Sequence, residues 1–104
     1  MGKDAGWDDA AVAEAMHVLA DRTRLRILLL LGEGEVNVSE LSERLGAPQP
    51  SVSHHLGILR VHGAVVARRS GKQVFYKLAV DAPEPRIIHV AAGTASVSVQ
   101  WRSH

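Results

Sequence analysis

Hydrophobic and polar positions keep helical spacing through the first part of the chain and switch to alternation after Gly63. From Asp8 to Leu19, DDAAVAEAMHVL begins with acids and places Val12, Met16 and Leu19 along one side, which predicts a first helix capped by Asp8 or Asp9. Asp21 is placed to cap a second, RTRLRILLLL, that ends at Gly32. Its Leu25, Leu28 and Leu29 have helical spacing and Ile27, Leu30 and Leu31 stand beside them, so it should be buried on most sides and form the centre of the core. Glu35 to Val38 suggests a short strand, after which Ser39 can cap a third helix, ELSERL, that stops at Gly46.

Only Ala47, Pro48 and Gln49 lead into a fourth helix, spanning roughly Gln49 to His62. Pro50 suits its first turn, where a missing N–H costs nothing, and Gly63 suits the left-handed position past its end. At about 100° per residue Val52, Leu56 and Leu59 share one face, while Ser53, His54 and Gly57 lie on or near the opposite one. A helix facing only solvent would carry Lys, Glu and Arg outward; Gln, Ser and His suit a major groove instead. Helix, tight turn and polar-faced helix make a helix-turn-helix arrangement. Beyond it Ala64 to Arg69 and Gln73 to Leu78 alternate around Ser70, Gly71 and Lys72, a β-hairpin with a basic rim of Arg68, Arg69, Lys72 and Lys77. Scattered basic residues can also be ordinary edge protection, but next to this helix they suit phosphates.

After the hairpin, Pro83 and Pro85 bar a continuous helix. Val97, Val99 and Trp101 alternate with Ser96, Ser98 and Gln100, which predicts a strand from about Ser96 to Trp101, paired with Arg86 to Ala91 around Gly93. The expected architecture is α+β: a winged helix-turn-helix of about four helices and a hairpin wing over residues 1–80, with an atypical C-terminal β extension over 81–104.

Composition narrows the function. At 104 residues the chain reads as one domain, small enough that dimerisation would help bury apolar surface. It has no cysteine, so disulfides, thiolate metal sites and thiol sensing are excluded. No stretch has the length of a membrane span and MGKDAGWDDA lacks a signal-peptide core, which places the chain in the cytoplasm with no membrane partner. The net charge of +1 hides a division: residues 1–48 hold nine acids against five bases, and residues 49–86 hold six bases against two acids. Positive charge is thus gathered on the helix and hairpin expected to meet a polyanion. A glycine-rich phosphate loop, a paired-carboxylate setting and a nucleophile triad are all missing, so an enzyme is not expected.

Three ordered blocks, ADRTRLRILLLL, SVSHHLGILRVHGAVV and RRSGKQVFYKL, covering about Met16 to Leu78, resemble the ArsR/SmtB family of winged-helix repressors. The resemblance implies a homodimer that binds an inverted repeat in double-stranded DNA near its own or a neighbouring operon and answers to a small effector. On the family pattern Gln49, Ser53 and His54 face bases or phosphates, and Arg68, Lys72 and Gln73 belong to the wing; Ser39, Ser51, Arg60 and Arg69 complete the expected DNA contacts. The chain departs from the family at its sensory sites. Where many members carry Cys-Val-Cys it has Asn37, Val38 and Ser39, so soft-ion sensing there is not expected. The Asp-x-His start of the usual C-terminal helix is replaced by Asp81, Ala82 and Pro83, and the helix itself is missing. The first helix and the C-terminal strands would then have to supply the dimer interface.

His54 and His55 diverge by about 100° on a helix and cannot share an ion. His55 borders the core face and is expected to hydrogen-bond a backbone group. His17, His62, His89 and His104 remain as candidate ligands, which with carboxylates from a partner would suit Zn²⁺, Ni²⁺ or Co²⁺; against this stands their reading as plain surface histidines. The expected function is an autorepressor, with the alternative of a winged-helix protein-interaction module that uses the outward Ile58 and Val61.

Overall fold

Three polar side chains set where the first three helices begin, because each gives a free backbone N–H of the opening turn an acceptor. Asp8 accepts from Ala11 N, Asp21 from Arg24 N at 3.0 Å and Asn37 from Glu40 N at 2.8 Å. A computed structural model of the chain describes residues 8–80 and 87–101. It runs α1 (Asp9–Leu19), α2 (Arg22–Leu31), β1 (Val36–Asn37), α3 (Val38–Leu45), α4 (Gln49–Val61), β2 (Val65–Ser70), β3 (Gln73–Leu78), β4 (Ile87–Ala92) and β5 (Ala95–Gln100).

The α3–α4 turn is held at both ends. Gly46 takes the left-handed conformation at φ 65° that ends α3. Gly46 N then donates to Glu43 O and Ala47 N to Ser42 O, while the Ser42 hydroxyl donates to Ala47 O. Pro48 follows in an extended conformation and α4 begins at Gln49 with no side-chain cap. The angle between the two helices is therefore set by a few local bonds and by the shared core beneath.

That core is aliphatic. Ile27 and Leu28 of α2, Leu41 of α3, and Val52, Leu56 and Leu59 of α4 are fully buried. Truncating one of them to alanine removes transfer free energy and leaves a cavity, at a cost of about 2 to 5 kcal/mol. The wing forms a three-stranded antiparallel sheet, β1-β3-β2, with Ala67, Tyr76 and Val36 in register. The second sheet is the hairpin β4-β5, whose Ile88, Val90 and Ala92 are buried and whose partner strand brings Val97 and Val99 against the core.

The structure corrects four details of the sequence-based expectations. Asn37, not Ser39, caps α3, because the helix starts two residues earlier, at Val38; this frees the Ser39 hydroxyl. The wing turn has two residues, Gly71 and Lys72, since Ser70 pairs with Gln73. The buried stripe of α2 is Ile27, Leu28 and Leu31, with Leu25 and Leu29 half-buried. The last strand ends at Gln100 and leaves Trp101 outside it.

Candidate nucleic-acid interface

Gln49 is the first residue of α4 and its side chain reaches back across the turn, where Nε2 donates to Ser39 Oγ at 3.2 Å. The N-termini of α3 and α4 thus open side by side, and the tip of the wing closes the third side. Together Asn37, Val38, Ser39, Gln49, Ser53, Lys72, Gln73 and Val74 line one groove. Its chemistry is one-sided: amide and hydroxyl groups that donate or accept, the Lys72 ammonium, and no acidic side chain. An uncapped helix N-terminus beside a lysine presents positive potential to an anion. A phosphate backbone and base edges are the polyanionic, hydrogen-bonding surface such a groove fits.

Of the ten expected contact residues, the structure gathers Ser39, Gln49, Ser53, Lys72 and Gln73 in this groove. His54 sits one step round α4 on an exposed strip with Gly57 and Val61, above a shallow apolar cleft that Ile58 and His62 complete. Gly57 has open space where a side chain would be. A glycine inside a helix costs about 1 kcal/mol relative to alanine, and here it leaves the outer face of α4 flat enough for close approach. Arg60 is exposed on the same flank as Ser53, roughly 10 Å further along the axis. Arg69 is exposed on β2 opposite Val74 of the groove. Ser51 is exposed but turned well away from Ser53 round the helix, and does not line the groove.

Arg68 is placed differently from the expectation of a free basic rim. Its guanidinium holds Glu35 through two hydrogen bonds, at 2.7 and 3.2 Å, and stands 4.9 Å above the Phe75 ring. The Arg68 hydrogen bond holds the Glu35 carboxyl below the usual glutamate range, with the charges of Arg68 and Lys77 acting in the same direction. Arg68 and Phe75 are cross-strand partners, so this pair occupies one face of the wing and is absent from the groove lining. Glu35 was missed as its partner because the two lie far apart in sequence and meet only when β1 joins the sheet.

His55 does not bond a backbone group. Its Nδ1 faces Arg24 Nη1 at 3.2 Å, and Arg24 also donates to Val18 O at 2.8 Å. Arg24 can only donate, so His55 accepts through Nδ1. This links α4 to the end of α1 and the start of α2. Among the metal candidates, His17 is exposed and His89 bonds Ser98 Oγ at 2.6 Å. His62 faces Ile58 O at 2.9 Å and Glu14 at 3.1 Å. His104 lies outside the described residues, among which no group of three or more metal-binding side chains occurs.

A helix-turn-helix whose second helix and adjoining hairpin converge on an acid-free groove with a lysine at its rim is the architecture of a winged-helix DNA-binding domain. The family model for bacterial regulatory proteins of the arsR family matches residues 21–65. KmtR, an HTH-type transcriptional regulator of Mycobacterium tuberculosis, is 46% identical over 79 residues, which are 74% of this chain and 61% of that protein. The chain thus spans about three fifths of the length of that curated relative. Among solved structures, the transcriptional repressor BigR from Xylella fastidiosa is 41% identical with a TM-score of 0.63, covering 67% of this chain and 71% of that one. A homodimeric winged helix-turn-helix DNA-binding domain from Mycobacterium bovis, a possible ArsR-family regulator, is 32% identical with a TM-score of 0.66, covering 77% of each. The chain belongs to the ArsR family.

Proposed function

We propose that the chain is a sequence-specific DNA-binding repressor that works in the cytoplasm as a homodimer on an inverted repeat. The observation that carries this is the groove in which Ser39, Gln49, Ser53, Lys72 and Gln73 meet. Each protomer would lay the N-terminal half of α4 in a major groove, with Gln49, Ser53 and His54 at base edges and Lys72 at a phosphate. Two protomers would reach successive grooves about 34 Å apart. Arg60 and Arg69 lie where the flanking backbone would pass. Among the described residues no helix is long and apolar enough to cross a membrane, as suits a protein that meets DNA.

Repression would end when an effector binds. Among the four histidine candidates only His62 stands beside a carboxylate in the described residues, 3.1 Å from Glu14. A Zn²⁺, Ni²⁺ or Co²⁺ ion on that pair would draw its other ligands from outside those residues.

Fluorescence anisotropy on the duplex upstream of the chain's own gene, against a scrambled duplex at about 150 mM salt, tests the proposal. Selective binding is expected. Equal binding to both duplexes would remove sequence reading and leave only charge.

A further inference from the structure

The C-terminal hairpin ends in an unusual edge. A two-stranded hairpin is marginal by itself, and β4-β5 gains its stability from α1 beneath it. The cover is uneven: Ile88, Val90 and Ala92 of β4 are buried, whereas Val97 and Val99 of β5 remain half-exposed. Among the described residues β5 pairs with β4 alone, so its other edge is open. Open edges in monomeric proteins are normally blunted by lysine, proline or a bulge. The wing follows that rule, with Arg68 and Arg69 on β2, but Ala95–Gln100, ASVSVQ, holds no charge and no proline and pairs with β4 without a bulge.

Backbone alternation decides what this edge offers. The loop between Ala92 and Ala95 has two residues, so that pair closes the ladder and exchanges its hydrogen bonds within the hairpin. Val97 and Val99 do the same with Val90 and Ile88. The N–H and C=O groups of Ser96, Ser98 and Gln100 therefore point away from β4. We infer that this edge pairs with the same edge of a second copy, antiparallel about a two-fold axis at Ser98. Ser98 then faces the partner's Ser98, and Ser96 faces Gln100 of the partner subunit. Every outward backbone group finds a partner, and Val97 meets Val99 of the partner subunit on the face that carries α1. The result is a closed four-stranded sheet, β4-β5-β5-β4, with one α1 of each copy on its apolar side. Such an isologous contact needs no charge complementarity, which fits a strand that has none. The inference rests on the proposed homodimer and names the surface that builds it.

The absence of cysteine makes the test clean. Ser98→Cys places one thiol per chain on the two-fold axis, and Ser51→Cys places one on the exposed surface of α4. Wild-type mass is measured by sedimentation, and each cysteine variant is treated with a short bismaleimide. The expected result is a wild-type dimer, rapid covalent dimerisation of Ser98→Cys and little of Ser51→Cys. Ser98→Pro, which removes an outward N–H and the side-chain bond to His89 but no backbone hydrogen bond of the β4-β5 ladder, should weaken the dimer roughly tenfold or more. Ser98→Ala, which loses only the His89 bond, should leave it dimeric, and the helical circular dichroism of both should stay that of the wild type. A dimeric wild type whose Ser98→Cys cross-links no faster than Ser51→Cys would overturn the edge and leave the dimer standing. A monomeric wild type would overturn the dimer itself.

Discussion

Gly93 touches Asp8 so closely that no side chain fits between them: a Cβ on Gly93 would stand 1.8 Å from Asp8 Oδ2. The β4-β5 turn therefore closes directly over the N-cap of α1, and Asp8 is held there by its bond to Ala11 N. Replacing Gly93 by alanine strains a left-handed residue at φ 61° and also forces Asp8 off its cap. Each effect costs roughly 1 kcal/mol. Gly71 is a matched control, since at φ 62° it has nothing within 4 Å. Gly93→Ala should therefore lower the melting temperature about twice as far as Gly71→Ala; equal losses would mean that the turn does not rest on Asp8.

Asp21 should govern part of the acid sensitivity. The Arg24 N–H holds its carboxyl below the usual aspartate value, opposed by burial and helped by the charge of Arg24. A carboxyl depressed in the folded state stabilises the protein fully above the unfolded value of about 3.9, and that contribution fades as pH falls through the lower folded value. Asp21→Asn retains a good cap but cannot titrate, so urea midpoints should fall less steeply than in the wild type below about pH 4. Asp21→Ala, which loses the cap as well, should be about 1 kcal/mol less stable at neutral pH. An Asn variant as acid-sensitive as the wild type would assign the transition to other carboxylates.

Glu35 holds the Arg68 guanidinium that a DNA backbone would otherwise meet. While the two hydrogen bonds between them stand, the Arg68 charge is neutralised on the wing. Glu35→Gln should release it, tightening binding to scrambled and upstream duplexes alike and steepening the salt dependence by up to about one counterion. Unchanged binding by this variant would show that Arg68 stays out of reach of the backbone even when free.

The sequence made the helices, the wing and the second hairpin legible because their signals are local: capping acids, glycines past helix ends, and a change from helical spacing to alternation. Half of the expected contact residues proved to share one groove, since Gln49 and Ser53 lie on one helical flank and the wing tip follows at a fixed distance. What was not legible depends on contacts across the fold. Arg68 pairs with Glu35 and Arg24 with His55, residues 33 and 31 positions apart. Helical spacing also could not tell that Asn37 takes the cap from Ser39, because that depends on where α3 starts to within two residues.

The salt dependence of binding to the upstream duplex tests the groove most directly when two lysines of the wing are compared. Lys72 lines the groove with Gln49 and Ser53, whereas Lys77 lies further down β3 beside Glu35 and Leu78. With the α4 N-terminus and wing tip on DNA, Lys72→Ala should reduce the slope of log K against log salt by about one, and Lys77→Ala should leave it as in the wild type. A slope that falls for Lys77→Ala and stays unchanged for Lys72→Ala would place DNA on another face and contradict the interface described above.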